Sequence, residues 1–244
     1  AEGFEDVQSS DFLAGALNPS TEIIIHEKSE RLQKLEPFKK WNNKDITNLR
    51  ILLKAEGKCT TDHVSPAGPW LKYRGHLENI SQNMYSGALN AYTKTTGEAI
   101  NTDTKKQADI YEVAKYYSSN SIDWVAVADE NYGEGSSREH AAMEPRFMGC
   151  KIVLAKSFAR IAQTNLKKQG ILPLIFENKS DYDKIEAYDT ISTLNLHEFS
   201  PTTNINLCLK KSDGTSYIIK TIHTFSANQI SWFKAGSALN LIAN

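Results

Sequence analysis

Cysteine is scarce in this chain: 244 residues hold three, Cys59, Cys150 and Cys208, widely separated. No Cys-x-x-Cys pair occurs, so the spacing signals neither a zinc site nor an iron–sulfur cluster. So few thiols in so long a chain also argue against a disulfide scaffold, and a reducing compartment, cytosol or mitochondrial matrix, fits best. Long apolar runs are missing too; no stretch approaches the roughly 18 residues that a membrane-spanning helix needs. Neither charge is in excess, with 28 Lys and Arg against 29 Asp and Glu, and the sequence pI is near 6.7. Without a basic stripe interleaved with aromatics, nothing favours nucleic acid as a partner. The first residues, Ala-Glu-Gly-Phe-Glu-Asp, lack the pattern of a signal or transit peptide and an initiator methionine. A processed chain or a fragment is expected. No repeat or low-complexity segment is found.

What is present builds a core: 40% of the residues are hydrophobic. Residues 1–48 are polar and irregular and read as an extended linker or arm draped over a surface, a partner domain's among the options. Leu35-Glu36-Pro37-Phe38 and Trp41 are its packing anchors. From residue 49 the pattern changes. Leu49–Ala55, 124–128, Lys151–Ala155 and Ile171–Phe176 are short β-branched or apolar runs suited to buried strands. Residues 87–90 offer a weaker strand. Apolar residues at 110, 113, 114 and 117 give a helical stripe with its tyrosines in the core. Ser157 is expected to cap a helix over 158–169, with Gly170 past its end. Strand–helix–strand–helix–strand over 124–176 implies parallel pairing with right-handed crossovers. Thr190–Leu196, Asn204–Lys210 and Ser216–Thr221 then read as antiparallel strands, with Ser212-Asp213-Gly214-Thr215 as a hairpin turn. Ser226 starts a closing helix broken by Gly236. The class is α/β: a mixed, largely parallel sheet with an appended antiparallel β region.

One stretch stands out for chemistry. Asp129-Glu130-Asn131-Tyr132-Gly133-Glu134-Gly135-Ser136-Ser137-Arg138-Glu139-His140 leaves a strand end and enters a segment that is helical until Pro145. Backbone N–H groups at a helix start attract anions, and an arginine fork binds a carboxylate through two parallel hydrogen bonds. The stretch is suited to holding a small anion beside a serine. It equally suits a serine-capped helix start, since Glu139 follows Ser136 by three residues as in a capping box. A second loop, 57–70, is dense in hydroxyls, Gly and Pro. Its Asp62 and His63 are either an acid–base pair or, more commonly, a turn cap beside an exposed histidine. Arg74, taken singly, is a surface salt-bridge residue.

Read together, Lys58-Cys59-Thr60-Thr61-Asp62-His63, Gly68-Pro69-Trp70-Leu71-Lys72-Tyr73-Arg74-Gly75-His76 and the 129–140 stretch resemble aconitase. Lys156-Ser157-Phe158-Ala159-Arg160-Ile161 and 232–240 fit as well. The similarity is to the mitochondrial type and runs from roughly residue 30 to the end. It is limited to the C-terminal swivelling domain and the linker before it, so the resemblance implies a three-layer β/β/α domain over 49–244. In that family Ser136 takes the role of catalytic base, Ser137, Arg138 and Arg74 bind substrate carboxylates, and Asp62 and His63 support them from behind. The substrate is a tricarboxylate such as citrate. The family's iron–sulfur cluster, of the 4Fe-4S kind, is held by three preceding domains, so the implied partner is those domains and this chain alone binds no cluster. The mitochondrial matrix is the implied location, with the cytosol as the other option. Three positions depart from the family pattern: Pro66, Cys150 after Gly149, and Ala162-Gln163 where a His-Glu pair is common. Homoaconitase, the small subunit of isopropylmalate isomerase, an RNA-binding relative and a catalytically dead regulatory domain remain as alternatives.

Overall fold

The computed structural model describes residues 22–243; the first part of the expected arm, residues 1–21, lies outside them. In chain order the elements are β1 (Leu49–Lys54), α1 (Thr61–Val64), α2 (Leu77–Ile80), β2 (Glu98–Asn101), β3 (Lys106–Asp109), α3 (Ile110–Ser119) and β4 (Trp124–Ala128). Then follow α4 (His140–Phe147), β5 (Cys150–Ala155), α5 (Arg160–Lys168), β6 (Leu172–Phe176), β7 (Thr190–Leu194), β8 (Asn206–Lys210), β9 (Ser216–Ile222), α6 (Ala227–Ala235) and α7 (Ala238–Ile242). Three-residue to six-residue 3-10 turns punctuate the loops, one of them Gly68–Tyr73.

The three apolar runs over 124–176 pair parallel as expected, β4 with β5 and β5 with β6, and β1 adds to β4 in the same sense. The antiparallel strands are not an appendix. β9, β8 and β7 continue the same sheet from β6, and β7 returns to β1 through Leu49–Ile191 and Arg50–Thr190, closing a seven-stranded barrel. One residue parity of the parallel strands (Leu49, Ile51, Val125, Val127, Ile152, Leu154) fills the interior with Ile191, Leu207 and Ile219. The other parity (Ala126, Ala128, Val153, Ala155) packs outward against Ile110, Val113 and Tyr117 of α3 and Ala141 and Ala142 of α4. Burial on both faces is why these strands read as unbroken apolar runs. Every residue of β4 is buried, whereas β9 alternates and leaves Tyr217 and Ile218 exposed.

Several local expectations meet a different outcome. The 158–169 helix begins at Arg160, with Ala159 as its N-cap and no side-chain capping bond; Ser157 is used elsewhere. α4 runs two residues past Pro145, because Glu144, Pro145 and Arg146 are all buried and packing holds the last turn despite the missing N–H. Residues 87–90 form only isolated bridges, Ala55 to Asn90 and Leu89 to Thr96. The polar hairpin β2–β3 gave no apolar signal at all. The closing helix is as expected: Ser226 and Gln229 form a capping box, and Gly236 ends α6 at φ 96°.

Residues 22–48 carry no helix or strand and lie on the domain itself. Gln33 N–H donates to the Gly75 carbonyl at 2.8 Å and Trp41 N–H to that of Lys234. The Trp41 ring sits 5.4 Å from Phe233, and Phe38 lies under the Arg146 guanidinium at 4.9 Å. Leu35 stays 42% exposed and is the weak anchor of the set.

Candidate active site

Parallel strands release their loops on one side, and ligands in α/β folds collect at those carboxyl ends. Here the loops after β1, β4 and β5, three neighbours in the sheet, meet. Asp129, just past β4, pairs with Lys156, just past β5, at 2.9 Å. Ser157 Oγ donates to Glu130 at 2.6 Å and accepts from the Asn131 N–H at 2.8 Å. Lys179 binds the other Glu130 oxygen at 2.6 Å. Tyr132 N–H donates to the Ser157 carbonyl and Ala159 N–H to that of Tyr132. On the other side Gly133 N–H donates to the Cys59 carbonyl at 2.7 Å, and Thr61 N–H to that of Glu134 at 2.9 Å. Beneath, the buried hydroxyls of Tyr85 and Tyr132 lie 2.7 Å apart. The loop therefore reaches Gly135 already fixed.

Beyond that point it opens into a cleft of about 590 Å3. Ser136, Ser137 and Arg138 form one wall; Arg160 and Lys168 of α5 are among the residues of the other. The expected capping box is absent. Ser136 lies in a bend four residues before α4 starts, and Glu139 accepts instead from Gln169 at 3.1 Å. Two glycines at positive φ, Gly133 (78°) and Gly135 (113°), turn the chain away from the helix. Ser136 is exposed, and its hydroxyl makes no hydrogen bond among the described residues.

Arg138 is aimed. Its Nη1 donates to Asp62 Oδ1 at 2.6 Å and to the Ser65 carbonyl at 2.8 Å. Ser65 Oγ in turn donates to Glu144 Oε1 at 2.8 Å. Glu144 is fully buried, and that burial holds its carboxyl well above the usual carboxylate range, the Ser65 bond offsetting part of the effect. A group kept protonated in the folded state, while the unfolded chain has released its proton, costs stability as pH rises above the ordinary carboxylate range. Glu144→Gln keeps an acceptor for Ser65 and removes the titration. This variant is expected to melt above the wild type at about pH 8, with the difference vanishing near about pH 4. Melting curves of the 244-residue chain across pH check it; a pH-independent difference would mean Glu144 is not held neutral.

The other residues expected in the site lie differently. His63 completes a capping box on α1, with Nδ1 3.0 Å from the Lys58 carbonyl oxygen and accepting from the Thr60 N–H at 3.3 Å. It faces back onto its own loop. Arg74 ends the 68–73 turn with Nε donating to the Leu71 carbonyl at 3.2 Å. Its guanidinium is not part of the cleft wall. Its carbonyl oxygen is 2.9 Å from His140 Nε2, which holds the 68–76 segment beside the start of α4. The structure thus brings together Ser136, Ser137, Arg138 and Asp62, and leaves Arg74 and His63 turned away. Sequence reasoning missed Arg160, Lys168 and Thr61 in the cleft and Ser157 as the tether of the loop. The four-residue spacing of 160, 164 and 168 was the available signal.

The chain's own thiols do not fit an iron–sulfur cluster. Cys59 and Cys150 are buried, and burial pushes both thiols up to about 12, the opposite of what a ligating thiolate needs. Cys208 sits in β8, half-buried. Among the described residues no group of three or more His, Cys, Asp and Glu is placed to hold a metal ion.

Residues 49–179 match the family model described as the aconitase C-terminal domain. The chain is 53% identical over 221 residues to a probable mitochondrial aconitate hydratase of Dictyostelium discoideum, covering 90% of this chain and 29% of that protein. It is 51% identical over 223 residues to the mitochondrial aconitate hydratase of Saccharomyces cerevisiae, covering 91% and 29%. Against the mitochondrial homocitrate dehydratase of the same yeast the identity is 51% over 230 residues, covering 92% and 29%. The chain therefore spans about three-tenths of the length of the curated relatives it matches. A solved 3-isopropylmalate dehydratase (leuD) of Methanocaldococcus jannaschii superposes with a TM-score of 0.52 at 22% identity, covering 82% of this chain and 94% of that one. That likeness is one of fold.

Proposed function

Because the chain belongs to the aconitase family, whose C-terminal domain model it matches, we propose that it supplies the serine base and substrate-carboxylate contacts of a hydro-lyase interconverting citrate and isocitrate through cis-aconitate. The observation that carries this reading is the pairing of an unbonded Ser136 hydroxyl with an Arg138 aimed into the same cleft by Asp62 and Ser65. Ser136 Oγ takes the proton from the carbon next to a substrate carboxylate. A serine hydroxyl is a poor base unless its alkoxide is stabilised, and Arg138 two residues away supplies the charge for that. Ser137 and Arg138 hold one carboxylate. Arg74, exposed and tied among the described residues to a carbonyl of its own turn, holds another once its side chain swings over as the remaining domains close. Asp62 keeps the Arg138 fork oriented, and His63 keeps the 58–63 loop in shape.

In this reading residues 1–48 serve as the linker and 49–244 as the swivelling domain. The [4Fe-4S] cluster belongs to the domains that make up the rest of the relatives' length, and those domains are the chain's partner. The location is the mitochondrion, the word in the names of the relatives, and within it the matrix. Homocitrate is the second substrate reading, favoured by the equal identity to a homocitrate dehydratase and by the small Ala162 in the cleft wall. RNA binding has no comparable support in a chain of balanced charge.

The test joins the chain to the remaining domains of a relative and follows loss of cis-aconitate absorbance. Turnover is expected from the joined, cluster-loaded protein and none from the 244-residue chain alone. A joined protein with an intact cluster spectrum that hydrates neither cis-aconitate nor its homologue would end this reading.

A further inference from the structure

The cleft has a charged wall that the catalytic reading leaves unused. Residues four apart on a helix lie one above another, so α5 stacks Arg160, Thr164 and Lys168 along one face, and all three line the cleft opposite Ser136. Leu166, on the other side of α5, is buried. Among the described residues no carboxylate lies within ion-pair distance of Arg160 or Lys168. Arg138, by contrast, shares its charge with Asp62. The uncompensated positive charge of the cleft is therefore on α5.

An independent feature points the same way. Thr61 is 3% exposed and lines this cleft, yet its Oγ1 is buried without a hydrogen-bond partner. A buried hydroxyl left unpaired is uncommon, and this one belongs to a residue of the cleft lining. The chain comes close to it at Gly135, where a Cβ would lie 3.2 Å from Oγ1.

We infer that Arg160 is a further substrate-binding residue: its guanidinium, with the Thr61 hydroxyl as second donor, takes a carboxylate of the tricarboxylate, while Lys168 draws the anion in at the mouth. The inference rests on the hydro-lyase reading of the cleft. It adds to Arg138 and Arg74 a cation that already faces the cleft. The planar fork of arginine suits a carboxylate better than an ammonium does. The rival role for Arg160 is an ion pair with a carboxylate on one of the remaining domains.

The experiment measures citrate binding by calorimetry to the full-length, cluster-loaded protein carrying Ser136→Ala, with and without Arg160→Gln, so that no turnover intervenes. Arg160→Gln is expected to weaken citrate by about 10–100-fold. Arg160→Lys should restore part of the loss and Thr61→Val should lose less than Arg160→Gln. In the otherwise wild-type enzyme the same change should raise KM for cis-aconitate while kcat moves little. Unchanged citrate affinity in Arg160→Gln overturns the inference, and a lowered melting temperature in that case assigns the residue to the domain interface. A parent protein that neither binds citrate nor hydrates cis-aconitate sinks the hydro-lyase reading and this one with it. An active parent with an indifferent Arg160→Gln sinks this one alone.

Discussion

Ser136→Ala in the full-length, cluster-loaded enzyme is expected to lower kcat by about 10²–10⁴-fold, the range over which a positioned base acts, and to leave KM nearly unchanged. The split follows from the geometry. Ser137 and Arg138 keep their places, because Arg138 is fixed by Asp62 and Ser65 and not by Ser136, so ground-state binding of a carboxylate survives. What is lost is the oxygen that the proposed function assigns as the base, while the Ser137 hydroxyl beside it stays in place. Alanine also leaves the backbone alone, since Ser136 caps nothing. Two measurements check this. Steady-state kinetics gives the kcat and KM split, and exchange of the substrate C–H with deuterated solvent follows the proton itself. Exchange should stop along with turnover. Near-normal kcat would put the base elsewhere; normal exchange with slow turnover would move the fault to a later step.

How much of this was legible without coordinates depends on the range of the interaction. The parallel strands could be read because both faces are covered, which makes Trp124-Val125-Ala126-Val127-Ala128 uniformly apolar. The Ser226 cap, the Gly236 stop and the 212–215 turn could be read because each is decided within a few residues. Closure of the barrel could not, because Leu49 meets Ile191 across most of the chain and no local pattern encodes that register. Ser157 shows how a local rule loses to a tertiary one. It is a good helix cap by composition, but Glu130 and Asn131, brought by the neighbouring strand, take both its donor and its acceptor. The same divide runs through the site. Ser136, Ser137 and Arg138 are contiguous and announce themselves beside two glycines. The Asp62 to Arg138 contact joins loops after β1 and β4. Arg74 was placed by resemblance, and its guanidinium lies against its own turn. Arg160 looked like one more basic residue of an amphipathic helix until the cleft beside it came into view.

Gly133→Ala is expected to cost nearly as much as losing the base, although it touches no substrate. Gly133 holds φ at 78°, and a Cβ built there lies 2.2 Å from the Ala162 Cβ. Two carbons without a bond between them prefer about 3.5–4.0 Å, so the loop and α5 must part by more than about 1 Å. The left-handed backbone adds about 1–2 kcal/mol for a residue with a Cβ. The displaced pieces are the ones that matter, since Ser136 follows three residues later and Arg160 is the first residue of α5. A misplacement of about 1 Å at reacting groups costs about 10²-fold in rate, so kcat is expected to fall by about that factor while the barrel, buried elsewhere, still folds. Two further variants separate contact from conformation. Gly57, in the loop after β1, is also left-handed at 68° but has nothing within 4 Å of its would-be Cβ, so Gly57→Ala should keep most of the activity. Adding Ala162→Gly to Gly133→Ala removes the clash and keeps the backbone strain, and should recover most of kcat. A double variant as slow as the single one would show that the backbone conformation, and not the close approach of the loop to α5, sets the position of Ser136.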